Sequence, residues 1–121
     1  MIRLSHDPVE VGAMLERIGS PDGVRGADLA GADNWHAWIW GGGLFVVVDR
    51  DDGMGDVHVY VYPSARGKHA IQAAGEVRVA EGRPLIGRTP LNNLPARRFA
   101  SLCGGVVVGV EDDEEVRVWA N

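Results

Sequence analysis

Val11, Met14, Leu15 and Ile18 are apolar at the spacing of a single helical face. Asp7 stands ahead of them as an N-cap, and Pro8 takes the first helical position. Glu10 follows Asp7 by three residues, as in a capping box, and Gly19 ends the segment. Residues 20–34 are polar and glycine-rich and read as a loop, with a short helix around Gly26 to Ala30. Runs of strand length follow: Trp35 to Trp40, Leu44 to Asp49 and Val57 to Tyr62. They are separated by a triple glycine and by the acidic turn Asp49 to Asp56, which predicts an antiparallel meander. Ala70, Ile71, Ala74 and Val77 return to helical spacing, and Gly82 closes that helix. Pro84 to Arg88 is a short strand. Asn93 caps a further helix, with Pro95 in its first turn, Leu94, Phe99, Leu102 and Cys103 as its apolar face and Gly104 as its stop. Gly105 to Val110 and Glu115 to Trp119 form a last hairpin across the charged tip Glu111 to Glu114. This order predicts an α+β domain with a mostly antiparallel sheet and Val57 to Tyr62 at its centre.

Composition narrows the function classes. A chain of 121 residues with 45% hydrophobic content fits one domain, residues 1–121, around a single core. One cysteine, Cys103, excludes an internal disulfide framework and makes the cytoplasm the expected location. No segment resembles a signal peptide, and no apolar run approaches the roughly 20 residues that span a bilayer, so no membrane partner is expected. A net charge of −5 argues against broad nucleic-acid binding. The four histidines lack zinc-ligand spacing and the Asp49 to Asp56 turn lacks that of a calcium loop, so no metal is expected.

One connection carries candidate chemistry. After Val57 to Tyr62, Pro63 ends the strand, and Arg66, Gly67, Lys68, His69 and Ala70 lead into the next helix. The first N–H groups of a helix have no partner within it, so a basic, glycine-containing turn at that point can hold phosphate. It can equally be an ordinary strand-to-helix connection.

The element order and two local motifs resemble the GNAT N-acetyltransferase family over roughly Trp35 to Trp119. The first motif is the turn Pro63 to Ala70. The second is a late helix of form N-x-x-A-x-x-[FL]-Y-x-x-x-G-[FY], matched here by Asn93, Ala96, Phe99 and Gly104. The short length and the missing N-terminal strand are most similar to small GNAT-like proteins of tailed bacteriophages. The resemblance implies a GNAT-like, mostly antiparallel sheet flanked by helices, with a splayed central strand. It also implies that acetyl-CoA or another acyl-CoA lies in the cleft with its pyrophosphate on that turn. The cofactor residues it implies are Val59, Val61, Arg66, Gly67, Lys68, His69, Ala70 and Asn93. The sequence departs from the family pattern at Ser64 (Gln or Arg in the family), at His69 (a small residue) and at Ala100 (the tyrosine that protonates the leaving thiolate). Gly105 replaces an aromatic residue.

In this family a substrate amine attacks a thioester directly, so a general base is needed. Alternation sends Val57, Val59 and Val61 to one face of the central strand and Asp56, His58, Tyr60 and Tyr62 to the other. His58 or Asp56 is the candidate base, Tyr60 or Tyr62 the candidate acid, and an N–H near Val59 to Val61 the candidate carbonyl ligand. A half-exposed antiparallel strand has the same two-faced pattern. Trp35, Trp38 and Trp40 with His36 are a substrate wall or packing. Arg97 and Arg98 are CoA-phosphate contacts or an exposed helix face.

Two functional readings stand. The first is an acyl-CoA-dependent N-acyltransferase acting on a small-molecule or peptide amine. The second, favoured by Ser64, His69 and Ala100, is a non-catalytic GNAT-fold module, virion-associated or interacting with a host. A small α+β binding domain unrelated to this family is a third option. Homodimerisation through the final hairpin or the tryptophan strand is open.

Overall fold

The computed structural model describes residues 1–19, 26–65 and 67–120. Its elements, in chain order, are β1 (Arg3–Ser5), α1 (Pro8–Ile18), α2 (Gly26–Ala30), β2 (Trp35–Trp40), β3 (Gly43–Asp49), β4 (Gly55–Val61), α3 (Gly67–Glu81), β5 (Leu85–Pro90), α4 (Leu94–Leu102), β6 (Val106–Glu111) and β7 (Glu114–Trp119). One seven-stranded sheet runs β1-β2-β3-β4-β5-β7-β6. All neighbours pair antiparallel except β4 and β5, which are parallel. This is the expected α+β architecture with β4 at the middle.

Local chemistry sets the element ends. The Asp7 carboxylate accepts from Val9 N–H at 2.9 Å, and Gly19 closes α1 at φ 76°, where glycine meets no steric penalty. The capping box is not formed. Glu10 accepts instead from Arg3 (3.0 and 2.8 Å) and Ser5 Oγ (2.9 Å), tying α1 to β1. β1 itself overturns the missing N-terminal strand: Arg3, Leu4 and Ser5 pair with Ile39, Trp38 and Ala37. Three residues are too few for a period-two pattern to be read.

Two cores sit on opposite faces of the sheet. On one, Val11 and Leu15 of α1 and Leu29 of α2 cover Trp35, Ala37, Ile39, Leu44, Val46 and Tyr60. On the other, Ala73, Ala74 and Val77 of α3 cover Phe45, Val47 and Leu85, with Val57, Trp38, Trp40, Cys103 and Trp119 packed at the margin. Trp38 and Trp40 therefore serve as packing. Helix α4 differs from its predicted face. Leu94 and Leu102 are exposed, and the buried residue is Ala100. No helix among the described residues is long and apolar enough to cross a membrane.

Candidate active site

The parallel ladder between β4 and β5 has two rungs, Gly55 with Leu85 and Asp56 with Ile86. On its other side β4 remains paired to β3 as far as Val61, opposite Gly43. Beyond Asp56 the ladder to β5 ends, so from Val57 to Val61 alternate N–H and C=O groups on that edge of β4 face a fork. The strands are joined at their N-terminal ends, so the fork opens toward the C-terminal end of β4, where the chain turns into α3.

Beneath the fork, on the α3/α4 face, lies an apolar cavity. Val57 and Val59 form one wall, Leu85 and Trp119 another, and Phe45, Phe99 and Cys103 are among its further lining. Small residues make room for the Trp119 ring. A Cβ on Gly87 would sit 3.1 Å from it, and one on Gly105 2.7 Å. Gly105, an aromatic position in the family pattern, is thus matched to an aromatic ring arriving from β7. Burial pushes the Cys103 thiol up to about 11, partly offset by Arg78, so it is protonated at neutral pH and unsuited to nucleophilic work.

At the open end of the fork, Gly67 begins α3, and a side chain built there meets nothing within 4 Å. Lys68 and His69 are exposed, whereas Ala70 is buried as part of the helix's packed face. His69 lines a groove with Trp40, Gly42, Ser64 and Gln72, none of which lines the fork cavity. The Tyr62 N–H donates to Gly42 O at 2.8 Å and the Ala65 N–H to Tyr62 O at 2.9 Å, which fixes the turn to β3. Arg66 lies outside the described residues.

The polar face of β4 divides. His58 and Asp56 are partly exposed, with His58 Nε2 4.0 Å from Asp56 Oδ1. Tyr60, expected beside them in the cleft, is 4% exposed and packs with Val11 and Leu15. Alternation placed it on the right face, but α1 covers that end of the strand. Tyr62 lies partly buried with the Arg17 guanidinium 5.4 Å from its ring centroid. Asn93 Oδ1 accepts from Ala96 N–H at 3.2 Å as the N-cap of α4.

Several participants were not visible in the sequence. Glu115, read as the first residue of the last strand beside the charged tip, is 3% exposed and held by Arg97 at 3.0 Å and by Arg117. Hydrogen bonding from Arg117 first, and from Arg97, holds its carboxyl below the usual range against the opposing cost of burial. Arg97 also donates to Leu91 O at 3.1 Å, so its guanidinium braces α4 against β7. At the far end of α3, Glu81 accepts from His36 (2.5 Å), Trp38 (2.9 Å) and Arg83 (3.1 Å). Burial opposes its ionisation, but these donors prevail and lower its pKa. Among the described residues no cluster of three or more histidine, cysteine or acidic side chains is arranged to hold a metal ion.

No protein-family model matches the sequence, and no curated protein matches it. Solved structures do. The N-acetyltransferase PseH of Campylobacter jejuni, in complex with acetyl coenzyme A, aligns with a TM-score of 0.68 at 12% identity, over 100% of this chain and 99% of that one. An N-acetyltransferase of Staphylococcus aureus aligns at 0.70 and 11%, over 99% and 97%. A Bacillus subtilis acetyltransferase in complex with CoA aligns at 0.62 and 10%, over 99% and 97%. At such identities the likeness speaks for the fold, and the chain has the GNAT fold.

Proposed function

We propose that this protein is an acyl-CoA-dependent N-acyltransferase, with acetyl the first acyl group to test and an amine as acceptor. One observation carries the reading: the β4–β5 ladder stops at Asp56, leaving an open strand edge over an apolar cavity, and β4 leads on to an unobstructed helix start. These parts fit acyl-CoA. The open β4 edge around Val59 and Val61 suits the amide-bearing pantetheine arm, and the cavity suits the acyl end. The first N–H groups of α3 at Gly67, Lys68, His69 and Ala70, with the Lys68 ammonium, suit a pyrophosphate. The sequence assigns Arg66 to the same turn.

Bound acyl-CoA supplies the acyl group as a thioester, activated toward amines. On the opposite face of β4, His58 takes the proton of the attacking amine, directly or through water, and Asp56 stabilises the imidazolium. A backbone N–H of β4 between Val59 and Val61 polarises the acyl carbonyl. The nitrogen–carbon bond forms as the carbon–sulfur bond breaks. Ala100 has no proton to give, so the departing sulfur is protonated from solvent. That same residue, buried at the family's tyrosine position, favours the second reading, a GNAT-fold module without catalysis.

Calorimetric titration with acetyl-CoA and with CoA tests both readings. Micromolar binding at one site per chain supports the enzyme, and acylation of an amine panel then completes the case. Absence of binding up to millimolar ligand would overturn it in favour of the module.

A further inference from the structure

The two edges of the sheet are built differently. β1 is three residues long, and its Arg3 is paired to Glu10 at 2.8 Å, so this edge is short and charged. β6 runs six residues, Val106 to Glu111, with no lysine, arginine or proline and its single charge at the last position. Val106, Val107, Val108 and Val110 are 47% to 65% exposed. They cover both faces of the strand, because Val106 pairs with Val118 and Val107 with Arg117 on opposite faces of β7. A register shift between Val107 and Gly109 leaves Val108 out of the β7 ladder. A long apolar edge with unpaired backbone groups is a template for another strand.

We propose that β6 pairs edge to edge with β6 of a second copy, antiparallel, joining two seven-stranded sheets into one. The acyltransferase reading is not needed for this pairing.

Charge selects both the partner and the direction. Each β6 leads into an acidic turn made of Glu111, Asp112, Asp113 and Glu114, of which Glu111 is paired to Arg88 at 2.7 Å. A parallel pair would set two such turns side by side and repel. An antiparallel pair separates them by the length of the strand, roughly 20 Å for six residues. It also brings each turn to the start of the other copy's β6. There Arg78 donates to Cys103 O (3.2 Å) and Ala120 O (2.9 Å), while Arg117, which donates to Gly105 O (2.6 Å), is already paired to the buried Glu115. The Arg78 guanidinium of each copy thus meets the Asp112 and Asp113 tip of the other at both ends of the contact, with the valines burying one another between them. A two-fold axis across the strands repeats each contact and closes the assembly at two.

Sedimentation velocity over a hundredfold concentration range tests the pairing. The expected result is a species of twice the 13.0 kDa chain mass that dissociates on dilution. Val108→Lys places like charges in the contact at an exposed position, so it should sediment as a single chain with an unchanged far-ultraviolet circular dichroism spectrum. Val106→Lys is the second variant if Val108→Lys misfolds. Added salt should weaken the wild-type dimer by screening the acid–arginine attraction. A wild-type monomer at every concentration, or a dimer that persists in a folded Val108→Lys or Val106→Lys variant, would overturn the pairing. A dimer strengthened by salt would overturn the antiparallel arrangement. None of these outcomes alters acyl-CoA binding, which the calorimetric titration reads separately.

Discussion

Asp56 and Ile86 form the last rung between β4 and β5, and one residue later Val57 is outside the ladder and lines a cavity. Everything proposed for the site follows from that break. Backbone groups that a continuous sheet would consume are left available, next to apolar walls and ahead of a helix start.

Gly67→Glu tests the helix start. A glutamate there points into open space and sits favourably at a helix N-terminus, so folding should be unaffected. It places a negative charge where the proposed pyrophosphate lies. CoA affinity should fall by about 100-fold or more, roughly 3 kcal/mol. Unchanged affinity in calorimetry, with an unchanged melting temperature, would remove the turn from the site.

His58→Ala tests the base. Turnover should drop by roughly 10²-fold or more while the affinity for acyl-CoA stays the same, because the imidazole acts on the acceptor side of β4. Steady-state kinetics with the best amine, paired with calorimetry, separates the two effects. Near-normal turnover would take His58 out of the mechanism.

Tyr60 separates core from chemistry. Truncating a buried aromatic side chain costs about 3–5 kcal/mol, so Tyr60→Ala should lower the urea-unfolding free energy by that order. A loss below about 1 kcal/mol would show that Tyr60 is not packed under α1, and its assignment to the cleft would return.

The Glu81 cluster predicts an acid limb to the stability curve. Its folded carboxyl titrates below the ordinary value of 4.5, so the cluster's contribution is fully present above that pH. It is lost as pH falls through the lower, folded value. Glu81→Gln removes the titration and turns an amide N–H₂ toward the donors of His36, Trp38 or Arg83, at a cost of roughly 1–3 kcal/mol at neutral pH. Urea midpoints below pH 4.5 should fall less steeply for the variant than for the wild type. Parallel slopes would show that this carboxylate does not govern the acid limb.

The sequence by itself determined the elements and their order. Asp7, Pro8 and Gly19 delimit α1, Asn93 caps α4, and the turns on either side of β3 make the meander, because capping, turn formation and side-chain alternation act within a few residues. Those same local signals supported the resemblance to the GNAT family. Tertiary structure alone decided what covers each face. Tyr60 and His58 alternate onto one face of β4, yet α1 closes over only Tyr60. Glu81 lies 45 residues from His36, and Glu115 lies 18 from Arg97, so no local pattern identified them as buried anions. Periodicity identifies residues that share a face, whereas burying a charge depends on the partners that distant segments bring to it.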